Sequence, residues 1–474
     1  MKKQLIFPME EKYAEYLRDE SRMAGVAESI SFPENEEEIL EVMSVMKENN
    51  TAITIQGGKT GITGCAVPAG GHIMNLSRLN NIKEYTETED GALLRVEAGV
   101  TLMELKKSVR KLSNGRKLFW APDPTEVTAT VGGIAGCNAK GISAYLYGGA
   151  REHISAIRVI HSDQTIREIK RGSETVIFLG EQTDLIDVYL GGEGMYGVIT
   201  ELTLELLPQA KEIWGIGFFF YDKKDAFLFI GKFFEKDLDI DGSNIAVMEY
   251  LDKNTIDIIQ KRKETVTKLK EIPDIDNNVE AMIYIEIHGN SEDSVEQTAE
   301  ILMETAMEAN SDPDNSWAVS GEAEIEKMRD FRHAAPESAN LFIEEIRQKE
   351  PRITKLGTDM SLSSGHFGSI VENYEEDLKK SGLKGCVFGH IGGNHLHINI
   401  LPENYEEYIK GRNLLRKWSE DIIEKNGEIA AEHGIGKLKR DFFLEIMPKT
   451  IIDKIRKEKD IYDPEGLWNP DNMI

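Results

Sequence analysis

Two rhythms of apolar and polar positions divide the chain. In the first third, Ala52–Ile55, Ile73–Leu76 and Leu93–Val96 are short apolar runs of strand length. Helical patterns alternate with them. Asn35 followed by Glu38 predicts an N-cap, and Ile39, Leu40, Met43 and Met46 follow at helical spacing. Thr101–Leu112 carries Leu102, Leu105 and Val109 on one face. Strand and helix in alternation predict an α/β domain. From Ile213 the rhythm changes. Strands at Ile213–Tyr221, Asn244–Tyr250 and Ala281–His288 are interleaved with helices at Ala226–Phe234, Thr255–Lys270 and Asp293–Ala309. That order predicts an antiparallel sheet with helices on one side, hence a second domain. Ser311–Asp314 reads as a turn or linker, Tyr405–Lys425 as a further helix and Asp463–Ile474 as irregular. The expected fold class is α+β. The expected division is 1–210, 211–420 and a C-terminal segment 421–474 that returns to the first domain.

Composition narrows the partners. The chain has 474 residues, enough for two to four domains. Lys+Arg is 56 and Asp+Glu is 83, a net charge of −27, so phosphate backbones and anionic lipid are repelled. Neither nucleic acid nor a membrane surface is expected as a partner. Cys65, Cys137 and Cys386 are the only cysteines, too few for the four thiolates of an ordinary iron–sulfur cluster. Three scattered thiols fit a reduced, cytoplasmic compartment. The N-terminal apolar run is interrupted by Glu10, Glu11 and Lys12, too early for a signal peptide. No apolar stretch approaches the ~18 residues of a membrane span. A soluble protein, or a soluble subunit of something larger, is expected, and its oligomeric state is open.

Glycine-rich blocks supply the first candidate chemistry. Gly57, Gly58, Gly61 and Gly64 follow a strand, with Lys59 and Thr60 between them. Close-spaced glycines let backbone N–H groups converge on an anion, because no Cβ blocks the approach. The spacing is neither a Walker A loop nor the Rossmann G-x-G-x-x-G. A second block runs from Pro122 through Thr130, Gly132, Gly133 and Asn138 to Gly141. A third carries Glu193, Gly197, Val198 and Ile199. A glycine-rich turn explains any one block alone; three in order are harder to explain that way.

A histidine block follows. Gly389–Ile400 packs His390, His395 and His397 into one strand-like run, and Glu432-His433 lies downstream. Imidazole and carboxylate together suit zinc, iron or manganese. His395 and His397 share a face of a regular strand, whereas His390 falls on the opposite face. A bulge at Gly392-Gly393 could re-aim His390. The alternative is a polar core of hydrogen-bonded histidines.

The order of the three glycine blocks resembles the FAD-binding domain of the vanillyl-alcohol-oxidase type of flavoproteins. The resemblance implies FAD held by Gly57, Gly58, Lys59, Thr60, Gly61, Gly64, Pro122, Thr130, Gly132, Gly133, Asn138, Gly141, Glu193, Gly197, Val198 and Ile199. Lys59 stands where a glycine is common and would add positive charge near the pyrophosphate. Thr60 stands where covalent members carry a histidine, so noncovalent FAD is implied. The histidine block resembles the flavin-dependent D-2-hydroxyacid dehydrogenases, whose members include lactate, glycolate and 2-hydroxyglutarate enzymes. By that resemblance His390, His397 and Glu432 ligate a divalent metal, Asn399 lines the substrate pocket and His433 is the base. Arg332 would clamp the substrate carboxylate and Lys355 assist it, although composition alone makes both surface charges. His395 replaces the family's usual Asn, and its role is open.

The implied reaction is oxidation of a 2-hydroxy acid, D-lactate by default, to the 2-keto acid. Electrons then pass to a partner such as an electron-transferring flavoprotein or an iron–sulfur subunit. Glycolate and D-2-hydroxyglutarate remain alternative substrates. Rival readings are a flavin-dependent transferase of the same fold, a flavin-free metal hydrolase and a noncatalytic electron carrier.

Overall fold

The computed structural model describes residues 3–236, 242–362 and 367–474. Met1 and Lys2, which open the N-terminal run, lie outside the described residues. The chain forms two units, 1–209 with 432–474, and 210–431.

The first unit contains two larger sheets and a small hairpin. One sheet has the order Ile6–Pro8, Ser29–Ser31, His72–Asn75, Ile53–Gln56, with its last three strands parallel. Trp468, fully buried, extends it by a parallel bridge to Ile53. The other runs Ile82–Glu87, Ala92–Glu97, Val198–Pro208, Ile154–Ile160, Ile166–Lys170 and is antiparallel throughout. Helix Glu36–Glu48 is capped by Asn35 and buries Ile39, Val42, Met43 and Met46. Val42, rather than Leu40, completes its apolar face, because the i, i+3, i+4, i+7 stripe from Ile39 passes through 42, 43 and 46. Helix Leu102–Leu112 has a reciprocal capping box between Thr101 and Glu104 and buries Leu102, Leu105 and Val109.

The second unit is built on an eight-stranded antiparallel sheet. Its order is Trp317–Ser320, Glu212–Phe220, Ala281–Gly289, Ser243–Asp252, Gly385–Gly389, His395–Ile400, Leu356–Gly357, with Met360–Ser361 also on His395–Ile400. Alternate residues of these strands, among them Phe218, Met248, Ile283, Ile285 and Ile398, join Phe229, Leu302 and Trp418 from the covering helices in one core. The intervening positions face the other way and hold the polar groups treated below. Helix Glu322–Arg347 lies on that face: a Cβ on Gly215 would sit 2.7 Å from Met328 Sδ. The expected helix at Thr255–Lys270 is shorter in the structure. It spans Lys253–Arg262, and the chain then turns through a 3-10 segment at Thr267–Leu269, which buries Leu269.

Candidate active site

In the first unit, strand Ile53–Gln56 delivers the chain into the first glycine loop. Thr130 Oγ1 would lie 2.1 Å from a Cβ on Gly57, and Thr128 O 2.5 Å from one on Gly58, so neither position admits a side chain. A Cβ on Gly61 meets nothing within 4 Å. Among the described residues, the N–H groups of Gly58, Lys59, Thr60 and Gly61 donate to no protein acceptor. Four successive backbone donors without protein partners form a cradle suited to an anion. Lys59 has a left-handed φ of 60°. Its Nζ lies 4.0 Å from the Tyr16 ring centroid and 3.5 Å from Glu15 Oε2, so its charge is shared with the N-terminal segment.

The other glycine blocks pack around this loop. Thr130 caps the short helix Val131–Gly136, accepting from Gly133 N at 3.4 Å. Gly132 sits against Ala98, Gly141 against the backbone of Asp123, and Pro122 is buried. Asn138 takes a left-handed φ of 46° and accepts the N–H of Arg151 through Oδ1 at 2.9 Å. Val198 is fully buried in the core, Ile199 half-buried beside it, and Gly197 touches Val159. Glu193 is 4% exposed, and its carboxylate accepts from Ile435 N at 2.7 Å and Gly436 N at 2.9 Å. Thr63 Oγ1 donates to His433 O at 3.1 Å. These bonds fasten the Glu432–Gly436 loop within the first unit. Gly434, at φ 75°, would place a Cβ 2.4 Å from Glu193 Oε1, so only glycine fits there.

In the second unit the histidine block is a hairpin, not the single bulged strand expected from the sequence. Gly385–Gly389 and His395–Ile400 pair antiparallel, joined by a 3-10 turn at Ile391–Gly393 and by Asn394 at φ 51°. The two glycines and the left-handed Asn reverse the chain, so the seven-residue separation that opposed His390 to His397 on a straight strand no longer applies. The ring centroids of His390 and His397 are 6.3 Å apart, those of His390 and His395 5.8 Å, and those of His395 and His397 4.5 Å.

Hydrogen bonding fixes which ring nitrogens carry protons. His390 Nδ1 bonds the carboxylate of Glu249, on strand Ser243–Asp252. Glu249 is fully buried; burial alone would raise its pKa, but Arg332 and His390 outweigh it and hold the carboxyl below its usual range. An ionised carboxylate only accepts, so His390 carries its proton on Nδ1. His397 Nδ1 lies 3.1 Å from Thr358 O, again an acceptor only. In its neutral form each ring therefore keeps the Nε2 lone pair, the form that binds metal. Asp359 follows Thr358, and its Oδ1 is 3.3 Å from His395 Nε2.

Arg332 donates through Nε to Glu249, and its guanidinium lies 5.2 Å from the Phe388 ring centroid. Among the described residues its terminal nitrogens carry no hydrogen bond, which leaves half of the fork for an anion. One helical turn away, Arg329 grips Glu286 through Nε at 2.7 Å and Nη2 at 2.6 Å. Burial raises Glu286, but the Arg329 fork prevails and holds it at about 2. Asn399 is 2% exposed, and its Nδ2 has no hydrogen-bond partner among the described residues, an orphan donor beside the histidines. Lys355 is exposed. Glu432 and His433 belong to the first unit, whereas His390, His397, Asn399 and Arg332 belong to the second.

Glu249, Glu286, Arg329, Thr358 and Asp359 were not singled out from sequence. The signal was present: Glu249 and Glu286 are carboxylates flanked by apolar residues inside their strands, and a carboxylate buried in a central strand requires a partner.

Comparison with known proteins places the chain in a family. Residues 27–170 match the family described as FAD binding domain, and residues 237–473 the family described as FAD linked oxidases, C-terminal domain. D-lactate dehydrogenase of Anaerostipes hadrus is 26% identical, over 96% of this chain and 92% of that protein. Glycolate oxidase subunit GlcD of Bacillus subtilis is 24% identical, over 95% of this chain and 89% of its own. The structure of 4-ethylphenol oxidase from Gulosibacter chungangensis superposes with a TM-score of 0.70 at 15% identity, covering 98% of this chain and 93% of that one. That likeness gives the first unit the same FAD-binding fold. No helix among the described residues is long and apolar enough to cross a membrane. An FAD-binding domain followed by the oxidase C-terminal domain accounts for most of the sequence, and the chain belongs to the FAD-linked oxidases.

Proposed function

We propose that this FAD-linked oxidase oxidises a small D-2-hydroxy acid, D-lactate first among them, to the 2-keto acid, using noncovalent FAD and a divalent metal. The observation that carries the reading is on one sheet face of the second unit. Two imidazoles offering Nε2 lone pairs stand beside a buried arginine with an open half-fork. Metal-binding nitrogens together with a carboxylate clamp suit a molecule bearing a hydroxyl and a carboxylate on adjacent carbons. Relatives named for D-lactate and glycolate support the substrate class.

The Gly58–Gly61 donors fit a pyrophosphate, and Gly61 leaves room for one. FAD, when bound, supplies the two-electron acceptor. Zn²⁺, Fe²⁺ or Mn²⁺, when bound, supplies a Lewis acid for the substrate oxygens. His390 and His397 would hold the metal, and Glu432 is the third ligand by sequence resemblance. Arg332 would hold the substrate carboxylate through its terminal nitrogens, with Lys355 assisting. Asn399 Nδ2 would donate to a substrate oxygen. His433 would take the hydroxyl proton, an imidazole being able to do so near neutral pH. An electron-transferring flavoprotein or an iron–sulfur subunit would remove the electrons.

The test is substrate-driven reduction of the flavin in the absence of oxygen. D-lactate is expected to bleach its visible absorbance, and Arg332→Ala to raise the concentration required at least 10-fold. Acid precipitation is expected to release the flavin. No bleaching by any D- or L-2-hydroxy acid in a panel including glycolate and 2-hydroxyglutarate would reject the reading.

A further inference from the structure

The three cysteines are scattered in sequence, yet the first unit brings two of them together. Cys65 directly follows Gly64, the last glycine of the first block, and Cys137 directly precedes Asn138 of the second. Their thiols are within hydrogen-bonding reach of each other. Glu193 fixes this approach from both sides. Its N–H donates to Gly136 O at 2.9 Å, beside Cys137, and its Oε2 accepts from the Cys65 thiol at 3.3 Å. Glu193 is buried at a left-handed φ of 49°, a conformation uncommon outside glycine, so the surrounding packing sets its place. Thr63 Oγ1 lies 3.3 Å from the Cys65 sulfur, and Asn472 Nδ2 donates to Cys65 O at 3.3 Å. The packing of Gly57 on Thr130 and of Gly58 on Thr128 clamps the same two segments. Both cysteines are half-buried, so a small oxidant can reach the pair, whereas Cys386 is 1% exposed.

We propose that Cys65 and Cys137 are a redox-active pair, which a low-molecular-weight disulfide closes into an intramolecular disulfide that latches FAD between the two glycine blocks. The order of attack follows from the neighbours. Contact with Cys137, desolvation and the Glu193 carboxylate hold the Cys65 thiol well above its usual range, so it stays protonated. Among the described residues no carboxylate is bonded to the Cys137 thiol, and Cys137 supplies the attacking thiolate. It attacks one sulfur of the oxidant, breaks the S–S bond and releases one thiol. Cys65 then attacks Cys137 Sγ in the mixed disulfide, passing its proton by way of Glu193 Oε2 to the second departing thiolate. Two protein thiols have lost two electrons, and one small disulfide has become two thiols. A crosslink between segments so distant in sequence keeps them from separating, so a cofactor held between them leaves more slowly. In a reducing compartment such a bond is transient and follows the thiol–disulfide poise. The latch rests on the reading of these blocks as the FAD cradle; the crosslink does not.

The test incubates the FAD-loaded full chain with oxidised glutathione, alkylates the remaining thiols and maps the peptides by mass spectrometry. The expected product is a Cys65–Cys137 crosslink, reversed by dithiothreitol, with Cys386 alkylated only after unfolding. Cys65→Ser is expected to trap Cys137 as a stable glutathione adduct, and Cys137→Ser to slow oxidation of Cys65 at least about 10-fold. Wild-type protein in which both thiols stay open to alkylation, or in which each carries its own glutathione, would overturn the pair, and that result needs no variant to fold. Release of FAD is then followed by fluorescence after dilution. It is expected to be at least about 10-fold slower from the crosslinked than from the reduced wild type. The same two treatments are expected to make no difference in Cys137→Ser. Equal release from crosslinked and reduced wild type would overturn the latch and leave the FAD cradle standing. Release that is equal in Gly61→Ala and wild type, both reduced, would instead count against the cradle, and the latch would fall with it.

Discussion

Glu249→Gln removes one negative charge from the centre of the second unit and tests two roles together. The carboxylate is fully buried and bonds both Arg332 Nε and His390 Nδ1. The Arg332 side chain is only 8% exposed, so without the carboxylate its charge is stranded, which costs about 3–5 kcal/mol. The amide also has a single oxygen for two donors. If it serves Arg332, its NH₂ faces His390, which must then accept at Nδ1 and carry its proton on Nε2. That tautomer cannot ligate a metal, and losing such an orienting partner lowers metal affinity about 10–100-fold. Glu286→Gln is the control. It breaks a buried pair of similar kind with Arg329, at 2.7 and 2.6 Å, and has no bond to His390 or His397. Denaturant unfolding is expected to show comparable losses for both variants, whereas chelator competition for Zn²⁺ is expected to show a loss only for Glu249→Gln. Equal Zn²⁺ affinity in the two variants would refute the assigned tautomer and the role of Glu249 in orienting His390.

Gly61→Ala is expected to leave the flavin-free fold unchanged, because its Cβ meets no protein atom within 4 Å, yet to weaken FAD at least 10-fold in a fluorescence titration. Two windows of pH dependence follow from buried groups. Glu286 is held at about 2 against an ordinary 4.5, so its stabilisation of roughly 3 kcal/mol is complete above pH 4.5 and is lost as pH falls towards 2. Glu286→Gln should flatten the unfolding free energy across that window. His72, pushed down to about 4 by burial and bonded to Ser29 and Ser31 at 2.8 Å each, stays neutral in the fold. The unfolded chain takes up its proton first, so stability falls as pH drops from about 6.5 to 4, and His72→Gln should remove that slope. Thr101→Ala deletes the capping box of Leu102–Leu112 and is expected to cost about 1 kcal/mol by denaturant unfolding.

The legible part of this protein was its periodic part. Helix Leu102–Leu112 and strand Ala281–Gly289 could be read because one apolar face met one core. The hairpin at His390 could not, because its reversal depends on a left-handed Asn394, which any residue count along a strand conceals. Partners distant in sequence were hidden for the same reason. Glu249 and Arg332 are 83 positions apart and meet only once strand and helix pack. The Glu193 carboxylate holds the backbone of Ile435 and Gly436, a contact across 242 and 243 positions that no local pattern shows. Acidic residues flanked by apolar ones inside strands were the local sign of these networks.

The account depends most directly on a 2-hydroxy acid reducing the flavin with the help of a metal held at the histidine hairpin. Purified FAD-loaded protein, mixed anaerobically with D-lactate before and after exhaustive chelation, provides the decisive comparison. Bleaching before chelation, its loss afterwards and its recovery on adding Zn²⁺, Mn²⁺ or Fe²⁺ are the predicted results; bleaching at an unchanged rate in protein shown to be free of metal would contradict the account.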